Sequence, residues 1–387
     1  MPINYELRCY SCNYMYDKNQ LNSFCTQCGK SPITVHFDLT PSTAKNSILS
    51  NVRSMWRYGN FLPLLDENNR ITLGEGWTPI LHLSRLAERL ELNELIIKDE
   101  SFNPTGSFKA RGLSMAISKA KELNVDACIV PTAGNAGGAL SAYCAKAAIK
   151  SIVVMPRHTP EAFKKECKAF GAELILVDGL INDCAKVVAE LKKDNGYFDI
   201  STMKEPYRLE GKKTLGYEIA EQLDWKLPDV ILYPAGGGTG LIGIWKAFKE
   251  MQSMGWIKDV QTKMIAVQAD NCKPLVDTFN GLQLNSSGYQ GSPTIANGLA
   301  VPHPFAEKMM LDVLKQSKGL AISVSEKEIV TSVKEIAALE GMLVAPEGAA
   351  LLAALKQLLK NGEVRRDEKI LLLNTGSCYK YLDSFEF

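Results

Sequence analysis

Four turns in this sequence carry the groups best suited to chemistry. The stretch 101–112, SFNPTGSFKARG, sets Lys109 after a stiff Asn-Pro-Thr-Gly lead-in, with Arg111 two places on, where a helix should begin. A lysine amine forms an imine with an aldehyde, the usual lysine role in covalent catalysis. In 131–138, PTAGNAGG, a strand runs into a turn and Asn135 stands near a helix N-terminus, where free backbone N–H groups attract a carboxylate or phosphate. The Asn135 amide suits a ring hydroxyl. In 234–243, PAGGGTGLIG, the residues Gly236, Gly237, Gly238, Thr239 and Gly240 lie between a buried strand and a helix. Glycines there let the backbone wrap an anion, the helix dipole favours it, and Thr239 adds a hydroxyl. The spacing lacks both the GxGxxG pattern with its acidic residue and a Walker ending, so a single phosphate fits better than a pyrophosphate. Finally Thr375, at the end of KILLLNTG (369–376), offers a hydroxyl to a ring nitrogen.

Each group alone has an ordinary explanation: a solvated lysine, a capping asparagine, a Gly-rich turn, a strand end. Together they describe one ligand with an aldehyde, a ring hydroxyl, a phosphate and a ring nitrogen, which is pyridoxal 5'-phosphate. A second constellation is Cys9, Cys12, Cys25 and Cys28, a C-x2-C-x12-C-x2-C pattern that matches a structural zinc site with four protein thiolates. The other six cysteines, Cys128, Cys144, Cys167, Cys184, Cys272 and Cys378, fall in apolar or helical context and read as ordinary buried thiols.

These groups need a scaffold that brings distant turns together. From about residue 95 strand-length apolar runs alternate with helical patterns: LIIKDE, ACIVPTAG (127–134), SIVVMP, AELILVDG, DVILYPAGGG (229–238), KMIAVQAD and KILLLNTG are strands, and 135–148, EAFKKECKAFG, DCAKVVAELKKDNG, GKKTLGYEIAEQL, GLIGIWKAFKEM and EGAALLAALKQLLKNG are helices. That alternation means parallel sheets covered by helices, with ligands at the carboxyl edge where the Gly, Asn and Thr lie. The expected class is α/β, with two three-layer domains of mostly parallel sheet after a small zinc-ribbon-like segment. The expected division is 1–35 for that segment, 36–105 plus 210–387 for the larger domain, and 106–209 for the smaller. The stretch from SMWRYGNF to PILHL reads as irregular.

The chain has 387 residues, 46% hydrophobic, with 44 Lys+Arg against 43 Asp+Glu. A length of this kind suggests more than one core. Without a charge block there is no argument for a nucleic-acid partner or a membrane surface. The start MPINYELRC lacks a basic-then-apolar signal, and no apolar run is long enough to span a bilayer. The expectation is a soluble, cytoplasmic protein acting on a small amino-acid substrate.

The blocks LRCYSC…CTQCG, MWRYGNFLPL, ITLGEGWTPI, KDESFNPTGSFKARG, PYRLEGKKTLGYEIAEQL and LLNTG resemble, in order and over nearly the whole chain, the threonine synthase family. That family belongs to the tryptophan-synthase-β type of pyridoxal-phosphate enzyme, fold type II. The resemblance implies that Lys109 is the Schiff-base lysine, Asn135 holds the ring hydroxyl, the 236–240 loop holds the cofactor phosphate and Thr375 faces the pyridine nitrogen. It implies conversion of O-phosphohomoserine and water to threonine and phosphate, with Thr132 and Gly134 of the asparagine loop binding substrate and Arg208 of YRLEGKKT binding the substrate phosphate, and a homodimer. The chain also departs from the family. Its loop reads Thr132-Ala133-Gly134-Asn135-Ala136-Gly137-Gly138 where the family commonly has S-T-G-N-T-S, and GGGTG replaces an asparagine-containing glycine loop. AGNAGG and TIANGLAV (294–301) are more similar to serine/threonine ammonia-lyases, so β-elimination of water from serine or threonine is the second reading. A third is a catalytically inactive binding protein on the same fold, against which the joint presence of Lys109, Asn135, the glycine loop and Thr375 argues.

Overall fold

Strands that are apolar along their whole length pair here into parallel sheets buried on both faces, as such runs require. The computed structural model describes residues 3–41, 43, 45–282 and 289–385. The outermost residues of the expected terminal divisions, 1–2 and 386–387, lie outside the described residues. The chain opens with β1 (Tyr5–Cys9), β2 (Met15–Tyr16) and β3 (Ile33–Phe37), an antiparallel sheet in the order β2-β1-β3. Alternation along β1 puts Tyr5 and Leu7 against Ile33 and Val35 in a small core of their own.

The stretch read as irregular is mostly so, with short 3-10 turns before β4 (Ile80–His82). Then come α1 (Ser84–Arg89) and β5 (Glu94–Asp99). The next segment carries α2 (Lys109–Glu122), β6 (Ala127–Pro131), α3 (Asn135–Ala147), β7 (Lys150–Pro156), α4 (Glu161–Ala169), β8 (Glu173–Val177), α5 (Ile181–Asn195) and β9 (Phe198–Asp199). Its strands form an all-parallel sheet, β8-β7-β6-β9.

The chain continues through α6 (Tyr207–Gln222), β10 (Val230–Pro234), α7 (Thr239–Ser253), β11 (Lys263–Ala269), α8 (Pro274–Phe279), α9 (Glu307–Gln316), β12 (Leu320–Val324), α10 (Glu326–Glu340), α11 (Pro346–Lys360) and β13 (Lys369–Asn374). A six-stranded sheet, β12-β11-β10-β13-β5-β4, is parallel throughout except for β4 against β5. It inserts the last strand between β10 and β5, which brings residue 375 to the middle of the sheet edge.

Two differences from the sequence reading matter. The helix expected from Gly211 begins at Tyr207, so Arg208 lies in its first turn and not in a loop before it. The sequence reading assigns no elements between KMIAVQAD and EGAALLAALKQLLKNG, where α8, α9, β12 and α10 form. A signal was present: Ser325 and Glu328 make a capping box at the start of α10.

The lysine-bearing helix α2 is locked to α6 and β5 by buried charges. Arg111 Nε donates to Glu100 Oε2 at 2.6 Å and its Nη1 to Glu218 Oε2 at 2.7 Å, while Lys98 Nζ reaches Glu218 Oε1 at 2.6 Å. All four side chains are fully buried. Each charge faces an opposite one and is hydrogen-bonded, which is what makes such burial tolerable; removing one partner of a buried pair costs about 3–5 kcal/mol. Arg111 therefore positions the helix that starts with Lys109.

Candidate active site

A cleft opens where β6, β10 and β13 end, at Pro131, Pro234 and Thr375. This is the carboxyl edge where α/β sheets bind ligands. Lys109, Thr132, Gly134, Asn135, Gly236, Gly237, Gly238, Thr239 and Thr375 all line it. Gly240 and Arg208 do not.

The lysine turn and the end of β13 are stitched together by backbone. The Phe108 N–H donates to the Thr375 carbonyl at 3.0 Å, and the Ser377 N–H donates to Gly106 at 2.9 Å. Thr105 takes a left-handed conformation, φ 60°, an uncommon state for a β-branched residue, so the lead-in is a tight turn held by its surroundings. Lys109 follows as the first residue of α2. Burial, and then the Arg208 guanidinium, bring its ammonium down from 10.5 to about 8, with Glu347 opposing. A fully buried second amine, Lys212, donates to the Phe108 carbonyl and sits 3.4 Å from the Phe108 ring centroid. Burial, and then the charges of Lys109 and Arg208, push that amine well below its ordinary value.

The glycine loop is a cradle in which side chains do not fit. A Cβ on Gly236 would lie 2.1 Å from the Gly298 carbonyl oxygen. Gly238 has φ 77° and is the cap residue just before α7, which has no side-chain cap. The start of α7 thus presents the positive end of a helix dipole to an anion. Gly240 belongs to the support: its N–H donates to the Tyr233 hydroxyl at 3.1 Å.

Asn135 opens α3; its Oδ1 accepts from Lys380 Nζ at 3.1 Å and its Nδ2 donates to the Tyr381 hydroxyl at 3.5 Å, which leaves the second N–H of the amide for the cavity. Thr132 Oγ1 accepts from the Gly134 N–H at 3.1 Å and so shapes the turn before it. Arg208 is fully buried; its Nη1 donates to the Ile200 carbonyl at 2.5 Å, and its Nε meets no partner among the described residues. Near it burial pushes the Glu205 carboxyl up to about 7, against the pull of Arg208 and of the Tyr207 and Arg208 amides.

Glu347, Tyr381, Asn297, Gly298 and Thr202 also line the cavity and were not singled out from sequence. Asn297 and Gly298 come from the quoted TIANGLAV. Glu347 had a signal as well: it is a lone carboxylate at the head of the otherwise apolar run APEGAALLAAL.

The N-terminal cysteines form a second site. The sulfurs of Cys9, Cys12, Cys25 and Cys28 all lie within 4.8 Å of one another, with Cys9–Cys28 at 3.4 Å and Cys12–Cys25 at 3.7 Å. Backbone N–H groups of Ser11 and Cys12 point at Cys9, and that of Gln27 at Cys25. The six other cysteines are buried, and burial raises Cys167, Cys184, Cys272 and Cys378 to about 11, as expected of inert thiols. Among the described residues no helix is long and apolar enough to cross a membrane.

The family described as pyridoxal-phosphate dependent enzyme matches residues 71–376. The chain is 34% identical over 379 residues to the threonine synthase of Methanocaldococcus jannaschii, covering 97% of this chain and 93% of that one. It is 32% identical over 378 residues to the threonine synthase of Methanosarcina acetivorans, covering 97% and 92%. Among solved structures, a pyridoxal 5'-phosphate-dependent aspartate racemase superposes with a TM-score of 0.69 at 22% identity, covering 88% of this chain and 96% of that one, which shows a shared fold.

Proposed function

We propose that this chain, which belongs to the pyridoxal-phosphate-dependent enzymes and within them to the threonine synthases, converts O-phosphohomoserine and water to threonine and phosphate. The observation that carries the site assignment is convergence: an amine of lowered pKa, an amide, an uncapped glycine-rich helix start and a hydroxyl, from four distant turns, line one cavity. Those groups match the functional groups of pyridoxal phosphate. When bound, that cofactor supplies the electron sink that acidifies the substrate's Cα hydrogen.

The chain's own residues do the rest. In this reading Gly236 to Thr239 bind the cofactor phosphate, with Gly240 holding the loop through Tyr233. Asn135 donates to the ring hydroxyl, and Thr375 meets the ring nitrogen with a hydroxyl and not a carboxylate, which leaves that nitrogen less protonated. Lys109 carries protons between the substrate carbons, and its lowered pKa keeps more of the amine free as a base at neutral pH. Thr132 and Gly134 receive the substrate's carboxylate end. Arg208 is our candidate for the substrate phosphate; support comes from its buried charge, its unpartnered Nε and its influence on Lys109.

The four-cysteine head is proposed as a structural zinc site. A tetrahedral ion with Zn–S bonds of about 2.3 Å needs sulfurs roughly 3.8 Å apart, close to the separations observed. We also propose a cytoplasmic homodimer and the two-domain division at 36–105 plus 210–387 and 106–209; the separate sheets support the division.

The deciding experiment supplies the holoenzyme with O-phosphohomoserine, serine and threonine in turn and assays phosphate, threonine, ammonia and 2-oxo acid. Threonine and phosphate from phosphohomoserine are expected, lost in Arg208→Ala with the cofactor still bound. Ammonia and 2-oxo acid from serine or threonine, with phosphohomoserine untouched, would move the chain to the lyase reading.

A further inference from the structure

Glu347 is the sole carboxylate among the described residues lining the cavity that holds Lys109. Its side chain is anchored from one side. Oε1 accepts the Gly298 N–H at 2.7 Å and the Tyr381 hydroxyl at 3.0 Å. Oε2 is buried and meets no partner among the described residues. The anchor is tight, since a Cβ on Gly298 would come 2.8 Å from Oε1. A buried carboxylate oxygen without a donor is costly, so its persistence asks for a use. Lys109 and Glu347 line the same cavity, and each feels the other's charge.

The proposed reaction sets a requirement that one amine does not meet. One proton must leave Cα and another must leave Cβ before either carbon regains one. Once the Lys109 amine has taken the first proton it is an ammonium and cannot take the second. Resting on the reaction proposed above, we infer that Glu347 is a second proton-holding catalytic residue, whose free oxygen accepts the Cα proton from Lys109 and later returns it. In that transfer an N–H bond of Lys109 breaks and an O–H bond forms on Oε2. The freed amine then takes the Cβ proton and delivers it to Cγ, as phosphate leaves Cγ with the electron pair of the C–O bond. Water gives its hydroxyl to Cβ and its proton to the phosphate. The stored proton goes back through Lys109 to Cα, so atoms and charge balance.

The surroundings suit the exchange. Arg208 and Lys212 lie near the amine; Lys109, Tyr381 and Cys378 lie near the carboxyl. Burial raises the Glu347 carboxyl and lowers the Lys109 ammonium, bringing the two closer and making transfer between them cheap.

The test is Glu347→Gln, which keeps an acceptor for Gly298 and Tyr381 but cannot hold the proton. With the holoenzyme and O-phosphohomoserine in deuterated water, phosphate release should fall at least about tenfold further than Cα hydrogen exchange. Equal losses in both, or no loss, would overturn the assignment. A second readout needs no turnover: in the apoprotein, the pH midpoint for acetylation of Lys109, mapped by peptide, should drop below its value of about 8, because the opposing carboxylate is gone. An unmoved midpoint would overturn the pairing. If the unaltered holoenzyme releases no phosphate, it is the reaction proposed above that fails, and the midpoint alone judges Glu347. Should Glu347→Gln not fold, Tyr381→Phe removes one anchor of Oε1 and should shift both readouts the same way by less; no shift in either would overturn the assignment.

Discussion

Lys380, from the turn after the last strand, donates to Oδ1 of Asn135 at 3.1 Å, and so fixes which way that amide faces. The same ammonium donates to both Glu166 oxygens at 2.8 Å and to the Thr105 carbonyl at 2.7 Å. One side chain thus ties the turn before Lys109, the start of α3 and helix α4 to the C-terminal segment.

Removing it should loosen the cofactor. Losing a hydrogen bond to a charged group costs roughly 1.5–3 kcal/mol, or about 10- to 100-fold in an equilibrium constant. Lys380→Met apoprotein titrated with pyridoxal phosphate by fluorescence should bind weaker by about that factor. Unchanged affinity would mean that Asn135 needs no help to face the ring.

The glycine loop allows a sharper comparison. An alanine Cβ at Gly238 would meet the Met310 Sδ at 2.2 Å, a side-chain end that can be removed. At Gly236 it meets backbone, the Gly298 carbonyl. Cofactor binding lost in Gly238→Ala should return in part when Met310→Ala is added, short of full recovery because the left-handed φ still costs about 1–2 kcal/mol. No side-chain change should rescue Gly236→Ala. Equal rescue of both would show that packing is not what these glycines serve.

The lowered pKa of Lys109 has a stability consequence. The unfolded chain binds this proton more tightly than the folded one, so stability rises with pH between about 8 and 10.5. At neutral pH the amine therefore destabilises the apoprotein by at most about 3 kcal/mol, less where cavity water screens it. Lys109→Met apoprotein should be the more stable at pH 7 in urea unfolding, with the gap narrowing as pH rises from about 8 to 10.5. A gap independent of pH would point to packing.

Metal analysis checks the N-terminal site. Protein purified under reducing conditions without chelator should carry about one zinc per chain. Cys25→Ser, which removes one of the two buried sulfurs, should lose it, and should destabilise the sheet that carries Tyr10, whose hydroxyl donates to Asp312 Oδ2 at 2.6 Å. Wild-type protein without zinc would refute the assignment.

Much of this was determined locally. Apolar runs of strand length alternating with helices prescribe parallel sheets, because only helices on both faces can bury such strands. The two C-x2-C pairs set the thiolate cluster through short turns, and Lys109, Asn135, the glycines and Thr375 announce themselves by type and by their place at strand ends. Other features depended on contacts across hundreds of residues. The insertion of β13 between β10 and β5 places Thr375 against Phe108, and no local pattern encodes that strand order. Arg208 precedes the helical run GKKTLGYEIAEQL in sequence but lies in the first turn of α6, outside the cavity lining. Glu347 and Lys380 acquire their roles only where Gly298, Tyr381, Asn135 and Glu166 meet them. A carboxylate in an apolar helix or a lysine in a turn has no marked chemistry in sequence; burial and the donors brought to it by the rest of the fold supply it.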